Sequence, residues 1–538
     1  MHLHTILAFA FLFWRVEAPL EWSLLPKGSV TGTLAIVLGQ PIALTLIATL
    51  CVRKSRRLLS RQSEPSEAAI RFYHRSLFIL RLALVAGFGG STLLTDWPDW
   101  FAFGRVAPSL QIFGDLIVLT PYFVGCLALW LATFPLEGAL HGADMAPSKP
   151  GETASGCSWR LSSYLDFHIR HHLLVISAPM MLILFASNLT RGYETALRRW
   201  SNWFWTPDAL LGVVAAGVFL IAPFLLRRLW RTSPLASGPL RERLEALCTR
   251  IGLRCREILV WQSDGLMLNA AVMGIVPAAR YVLLSDALLA AMSPRQIEAV
   301  FGHEAGHVRH RHIQHFLVFA FVGWLGAGAL MELLGWLFVH GNAWSKTGVA
   351  AIQGTGLALT FIFWVIGFGW LSRRFERQAD LFGARCVTPD AANCNLPCSV
   401  HLNGAANPPE SERVCAAAAA VFASALDRVA VLSGIPHEER SWRHSSVGSR
   451  IRFLHSAAGD PALAVRFERV IRRAKAALLA AAIVGSAGAL YYWSVTPTPA
   501  LMRMRVGRAE AQGGYSLVAD SLENPARQPL DADRADGL

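Results

Sequence analysis

The sequence predicts a polytopic α-helical membrane protein that carries an α+β domain, mainly α. Two observations lead there. The 538-residue chain is 53% hydrophobic and only 16% charged, too apolar for a water-soluble protein of this size, and its apolar residues are gathered in blocks. Between two of those blocks lies a stretch of another kind, in which short strand-like runs lead into a capped amphipathic helix.

Taken in chain order, residues 5–14 form an apolar run too short to span and without a basic segment before it, so an interfacial segment is expected rather than a cleaved signal. Spans are expected at about 31–51, 76–94, 110–134, 171–189, 208–226, 316–339, 350–371 and 476–493, each long enough to cross the hydrocarbon core. A polar Gly/Ser/Pro linker falls near 146–158. Residues 1–230 are thus an N-terminal multi-span region. The domain at 235–470 opens with a helix at 239–252, a strand from Glu257 to Trp261, a second near Asn269 to Ile275 and a third from Tyr281 to Leu284. Ser293-Pro294-Arg295-Gln296 then reads as a capping box with Pro at the first helical position. A membrane hairpin, 316–371, and a Cys-rich insert, 390–414, interrupt this domain. Residues 494–538 lack an apolar period and read as a disordered tail.

The net charge of +13 is explained by topology without nucleic acid. Basic clusters at 53–57, at Arg71 with Arg75, at Arg227-Arg228 with Arg231, at Arg309 with Arg311, at Arg373-Arg374 and from Arg469 to Lys475 all fall on one side when the spans alternate. The positive-inside rule makes that side cytoplasmic. Arg198-Arg199 is the exception. Ionisable residues inside spans, Arg81, Asp115 and Glu332, are expected to face a water-filled chamber.

Within the capped helix stands His303-Glu304-Ala305-Gly306-His307, the HExxH pattern. Positions i and i+4 share a helix face, so two imidazoles can hold one zinc ion, while Glu304 addresses a water beside it. Two His need a third protein ligand. Glu332 lies inside a span, roughly 24 Å from its cytoplasmic end at 1.5 Å per residue. Glu376 is returned by the membrane hairpin to the face that carries the motif, and Asp380, one turn on, is spaced to bond a ligand imidazole. His310, His312 and His315 read mainly as an interfacial basic rim, with His310 the one placed to add to the site. Nine cysteines, an odd number, argue for reduced thiols. Four of them, Cys386, Cys394, Cys398 and Cys415, crowd one short region with His401, and a second zinc site and ordinary thiols both stay open as readings.

HEAGH, a membrane hairpin and then ExxxD in 375–384 resemble the integral-membrane zinc metalloprotease family of the CAAX prenyl endopeptidases and the HtpX-type heat-shock proteases. The resemblance covers roughly residues 235–456. It implies a zincin-like metalloprotease domain and a zinc metalloendopeptidase of the gluzincin type, with one catalytic Zn2+ on His303, His307 and Glu376, and Glu304 as the catalytic acid–base. It also implies that Asn269 holds the substrate backbone, that His444 stabilises the developing oxyanion, and that Arg450, counted with Asn269 among the substrate-binding residues, braces Glu376 or the site. Ser445 stands where the family carries Pro. The partners implied are a protein or peptide substrate and the lipid bilayer. The expected place is the cell or inner membrane, with the active site facing the cytoplasm. The competing class is a zinc-dependent membrane sensor acting by limited or no proteolysis. Loss of Glu304 or Asn269 would favour it, and both are present.

Overall fold

The computed structural model describes residues 3–17, 29–59, 67–144, 160–200, 206–263, 265, 267–339, 346–389, 394–396, 398, 400–401, 413–433, 435–439 and 443–495. The expected linker at 146–158, most of the insert at 390–414 and all but the first residues of the expected tail lie outside them. The chain forms two compact units: one of residues 1–235, 255–267 and 276–287, the other of 236–254, 268–275 and 288–538. Eight helices among the described residues are long and apolar enough to cross a membrane, and each of the eight segments expected from hydropathy overlaps one of them.

The first unit is mainly helical. Helices α1 (Leu3–Glu17), α2 (Val30–Leu59), α3 (Glu67–Leu94) and α4 (Gln111–Asp144) are followed by α5 (Leu161–His168). A six-residue π-helical stretch (Ile169–Leu174) leads into α6 (Val175–Gly192), α7 (Glu194–Trp200) and α8 (Thr206–Leu229). Residues 5–14 depart from expectation. Ala8 and Phe9 are 0% exposed and pack in a core with Leu84, Phe88, Leu119 and Tyr122, because an apolar run too short for lipid still gains by burial against protein. Outward-facing apolar side chains such as Leu46, Phe78 and Val213 stay exposed, as they do where hydrocarbon is the solvent. Asp115 does not face a chamber: it is 1% exposed and accepts from Asn188 Nδ2 at 2.7 Å and Gln111 Nε2 at 2.9 Å. Arg81 lines a cavity with His4, Cys126, Thr133 and His172.

After α8 the chain adds strand β1 (Thr232–Pro234), helix α9 (Pro239–Ile251), β2 (Glu257–Trp261), β3 (Ala270–Met273) and β4 (Tyr281–Ser285). In the first unit β2 pairs antiparallel with β1 and parallel with β4, Leu259 lying opposite Leu283. All five residues of β4 are buried, which suits a strand covered on both faces.

Beyond β4 come α10 (Asp286–Ala291), α11 (Pro294–Arg309), α12 (His312–Val339), α13 (Lys346–Cys386), α14 (Ala416–Leu432), α15 (Val447–Gly459) and α16 (Pro461–Val495). In the second unit α12 and α13 run antiparallel: Phe316 meets Phe368 at 4.8 Å and Phe319 stacks on Phe363 at 5.1 Å between ring centres. At 1.5 Å per residue α13 is about 60 Å long. It carries an apolar half beside α12 and a half that packs on α11.

Candidate metal centre

The site grows from the start of α11. Ser293 Oγ accepts the Gln296 N–H at 3.4 Å, and Gln296 Oε1 accepts the Ser293 N–H at 3.1 Å, closing the capping box. The buried face that follows, Ile297, Phe301, Ala305 and Gly306, sets the rotation of the helix and points His303 and His307 inward. The crossing with α13 is close. A Cβ on Gly383 would lie 2.9 Å from both Ala299 O and His303 N, and one on Gly306 would lie 3.1 Å from Ala379 Cα. Small residues on both helices let the backbones touch, and this brings Glu376 against the two imidazoles.

His303 Nε2 and His307 Nε2 are 3.3 Å apart. Glu376 Oε2 lies 3.7 Å from His303 Nε2, and Oε1 lies 3.8 Å from His307 Nε2. Tetrahedral zinc with bonds of about 2.0–2.2 Å holds such atoms about 3.4 Å apart, so these three residues fit the ion with small adjustments. All three ligand atoms lie within 4.8 Å of one another. Glu332 is elsewhere: it accepts from Tyr492 on α16 and is no part of the cluster.

Around the cluster the charged groups are paired. Asp380 Oδ1 lies 2.9 Å from His303 Nδ1. Arg450 grips Asp380 with two bonds, Nε to Oδ2 at 2.9 Å and Nη2 to Oδ1 at 2.5 Å, and its Nη2 is 3.9 Å from Glu376 Oε2. The Arg450 guanidinium therefore faces Asp380 and the ligand carboxylate of Glu376. His444, in the segment before α15, puts Nδ1 3.2 Å from Glu376 Oε2 while its side chain stays 44% exposed. Asn269, exposed, immediately precedes β3, and β3 packs on α11.

The electrostatics divide the groups by role. Burial pushes Glu304 up to about 7, and the Glu376 charge adds to the effect, against the pull of His303 and of the Val272 N–H on β3. Burial opposes a proton on His303, but the bond to Asp380 and the charges of Asp380 and Glu376 outweigh it, and its pKa rises above 6.5. Burial and the neighbouring His303 take His307 down to about 4. The two imidazoles are thus unlike although they share one helix face.

One residue of the site escaped the sequence reading. His312 is not a rim residue: it is 0% exposed, its Nδ1 lies 2.9 Å from His307 Nδ1 and its Nε2 2.9 Å from Gln378 Oε1. Its ring stacks on Phe375 at 4.1 Å. His310 Nε2 is buried without a hydrogen bond, and His315 bonds the Arg311 carbonyl. The only signal for His312 was its place directly after the motif.

Residues 234–438 match the profile of Peptidase family M48, so the resemblance drawn from the motifs holds over that stretch. A relative of similar sequence is a "Protease HtpX homolog" of Archaeoglobus fulgidus, 26% identical over 192 residues, 34% of this chain and 52% of the relative. Another is "CAAX prenyl protease 1" of Saccharomyces cerevisiae, 28% identical over 123 residues, 22% of this chain and 27% of the relative. The chain thus spans about half the length, or less, of these curated relatives. Among solved structures, S. mikatae Ste24p aligns over 78% of this chain and 98% of its own at a TM-score of 0.35 and 14% identity.

Proposed function

We propose that this protein is a membrane-embedded, zinc-dependent endopeptidase that hydrolyses peptide bonds of membrane-associated or membrane proteins at the cytoplasmic face. The observation that carries the reading is the convergence of His303, His307 and Glu376 within 4.8 Å, with the carboxyl of Glu304 held beside them and raised to about 7. Zinc bound by the three supplies Lewis acidity and brings the pKa of a water to about 7.

Glu304 then takes the proton from the attacking water and delivers it to the leaving amine nitrogen, work suited to a buried carboxyl held beside the metal ligands. His444, half exposed and anchored on Glu376, shares the negative charge that develops on the carbonyl oxygen. Asn269 at the start of β3 holds an extended substrate by its backbone. Asp380 and Arg450 act through the ligands: the carboxylate fixes the His303 tautomer, and the guanidinium keeps that carboxylate charged. The cytoplasmic placement is supported by the basic clusters on one side of the alternating spans.

The test is cleavage of a generic unfolded protein in detergent by wild type and by Glu304→Gln. The variant is expected to keep its zinc and lose turnover by at least about a hundredfold. Undiminished cleavage by Glu304→Gln contradicts the proposal. Reporter fusions after residues 60, 231 and 374 test the orientation, and an extracytoplasmic signal at residue 231 overturns it.

A further inference from the structure

The chain between α13 and α14 carries a second cluster with metal-ligand chemistry. Cys394, Cys398, His401 and Cys415 each present one donor atom, and these four atoms lie within 4.8 Å of one another. Cys394 Sγ and Cys415 Sγ are 3.6 Å apart, and Cys415 Sγ lies 3.8 Å from His401 Nδ1. Around a tetrahedral zinc ion, bonds of about 2.3 Å to sulfur and about 2.0 Å to nitrogen set S···S near 3.8 Å and S···N near 3.5 Å. The three cysteines are free thiols.

The surroundings favour a thiolate at Cys398, where, against burial, backbone hydrogen bonds bring the thiol down to about 6. Burial pushes the Cys415 thiol up to about 12 in the absence of a metal. Cys398 Sγ accepts from the Val400 N–H at 3.4 Å and from the backbone N–H groups of Ala416 and His401. Cys415 is the N-cap residue of α14 and is 0% exposed, so its sulfur sits where the unpaired N–H groups and positive end of the helix gather. Cys386, close in sequence, takes no part: it lies on α13 against Gly302 of α11.

We propose that Cys394, Cys398, His401 and Cys415 bind a structural zinc ion that clips the insert onto the N-terminus of α14. Four protein ligands close the coordination sphere, which marks a structural rather than a catalytic ion. The clip bears on the candidate metal centre through packing. α14 lies against α11, where the Phe422 ring stacks on His303 at 5.8 Å, and Cys394, Cys398 and Val400 pack on the same core.

The experiment uses the full chain in detergent, with His303→Ala and His307→Ala removing the other metal centre. That double variant is expected to retain one equivalent of zinc, and adding Cys394→Ser with Cys398→Ser is expected to remove it. Cobalt loaded into the His303→Ala/His307→Ala protein is expected to give a thiolate-to-cobalt charge-transfer band in the near ultraviolet, a readout that does not depend on the cysteine variants folding. Two results would overturn the proposal: no metal in the His303→Ala/His307→Ala protein, or bound cobalt without a thiolate band.

Discussion

His312 Nδ1 lies 2.9 Å from His307 Nδ1, whereas His303 Nδ1 faces Asp380 Oδ1 at the same 2.9 Å. One ligand imidazole is oriented by a neutral ring and the other by a carboxylate. The neutral ring is itself fixed: its far nitrogen meets Gln378, which donates to Glu468 and accepts from Lys475 at 3.0 Å. An orienting partner of this kind is expected to matter nearly as much as a ligand.

Replacing His312 with Ala removes the partner of His307 and leaves every ligand in place. Zinc affinity is expected to fall about 10- to 100-fold, measured by competition with a chelating dye. Wild-type affinity in His312→Ala would show that His307 needs no partner at Nδ1.

Zinc binding is expected to weaken below neutrality, beginning above pH 6.5. A metal ligand must be unprotonated, and His303 has its pKa raised above 6.5, chiefly by Asp380. Below that pKa, zinc displaces a proton from His303, so apparent affinity falls about tenfold per pH unit, and above it the dependence flattens. His307, at about 4, adds nothing in this range. In Asp380→Asn the support for the proton is lost, and the bend is expected to move to lower pH. An unmoved bend would mean that another group sets it.

Gly383→Ala is expected to act on the crossing of α11 and α13. The new Cβ would meet backbone atoms of Ala299 and His303 at 2.9 Å, and backbone cannot step aside as a side-chain tip does. The cost is about 1–3 kcal/mol, read as a lower melting temperature in detergent, together with weaker zinc binding as Glu376 is pushed away. Unchanged melting and zinc content would show that the helices part at no cost.

Much of this was legible in the sequence because its causes are local or periodic. The capping box and the i, i+4 spacing place His303, Glu304 and His307 within one helix. Apolar blocks mark the long helices, and the antiparallel pair of α12 and α13 explains how Glu376, 69 positions after His307 in the numbering, returns to it. What stayed hidden depends on packing. Hydropathy cannot tell lipid from protein interior, so α1 read as interfacial although Phe9 is buried. His312 follows Arg311, whose positive φ of 55° breaks the helix and turns the next residue back toward the site, where a spacing rule for one helix does not reach. Cys386 seemed part of the cysteine cluster by sequence distance, but it is the last residue of α13 and faces α11.

The central claim is that Glu376 completes the metal centre and that Glu332 does not, and zinc per purified chain tests it most directly. Glu376→Gln replaces an anionic ligand with a weak neutral one, so the zinc held by His303 and His307 is expected to be lost, along with proteolysis. Glu304→Gln is expected to keep zinc and lose only turnover. Glu332→Gln is expected to keep its zinc, because Glu332 bonds Tyr492 outside the cluster. Full zinc in Glu376→Gln together with loss of metal in Glu332→Gln would contradict the ligand assignment and the account built on it.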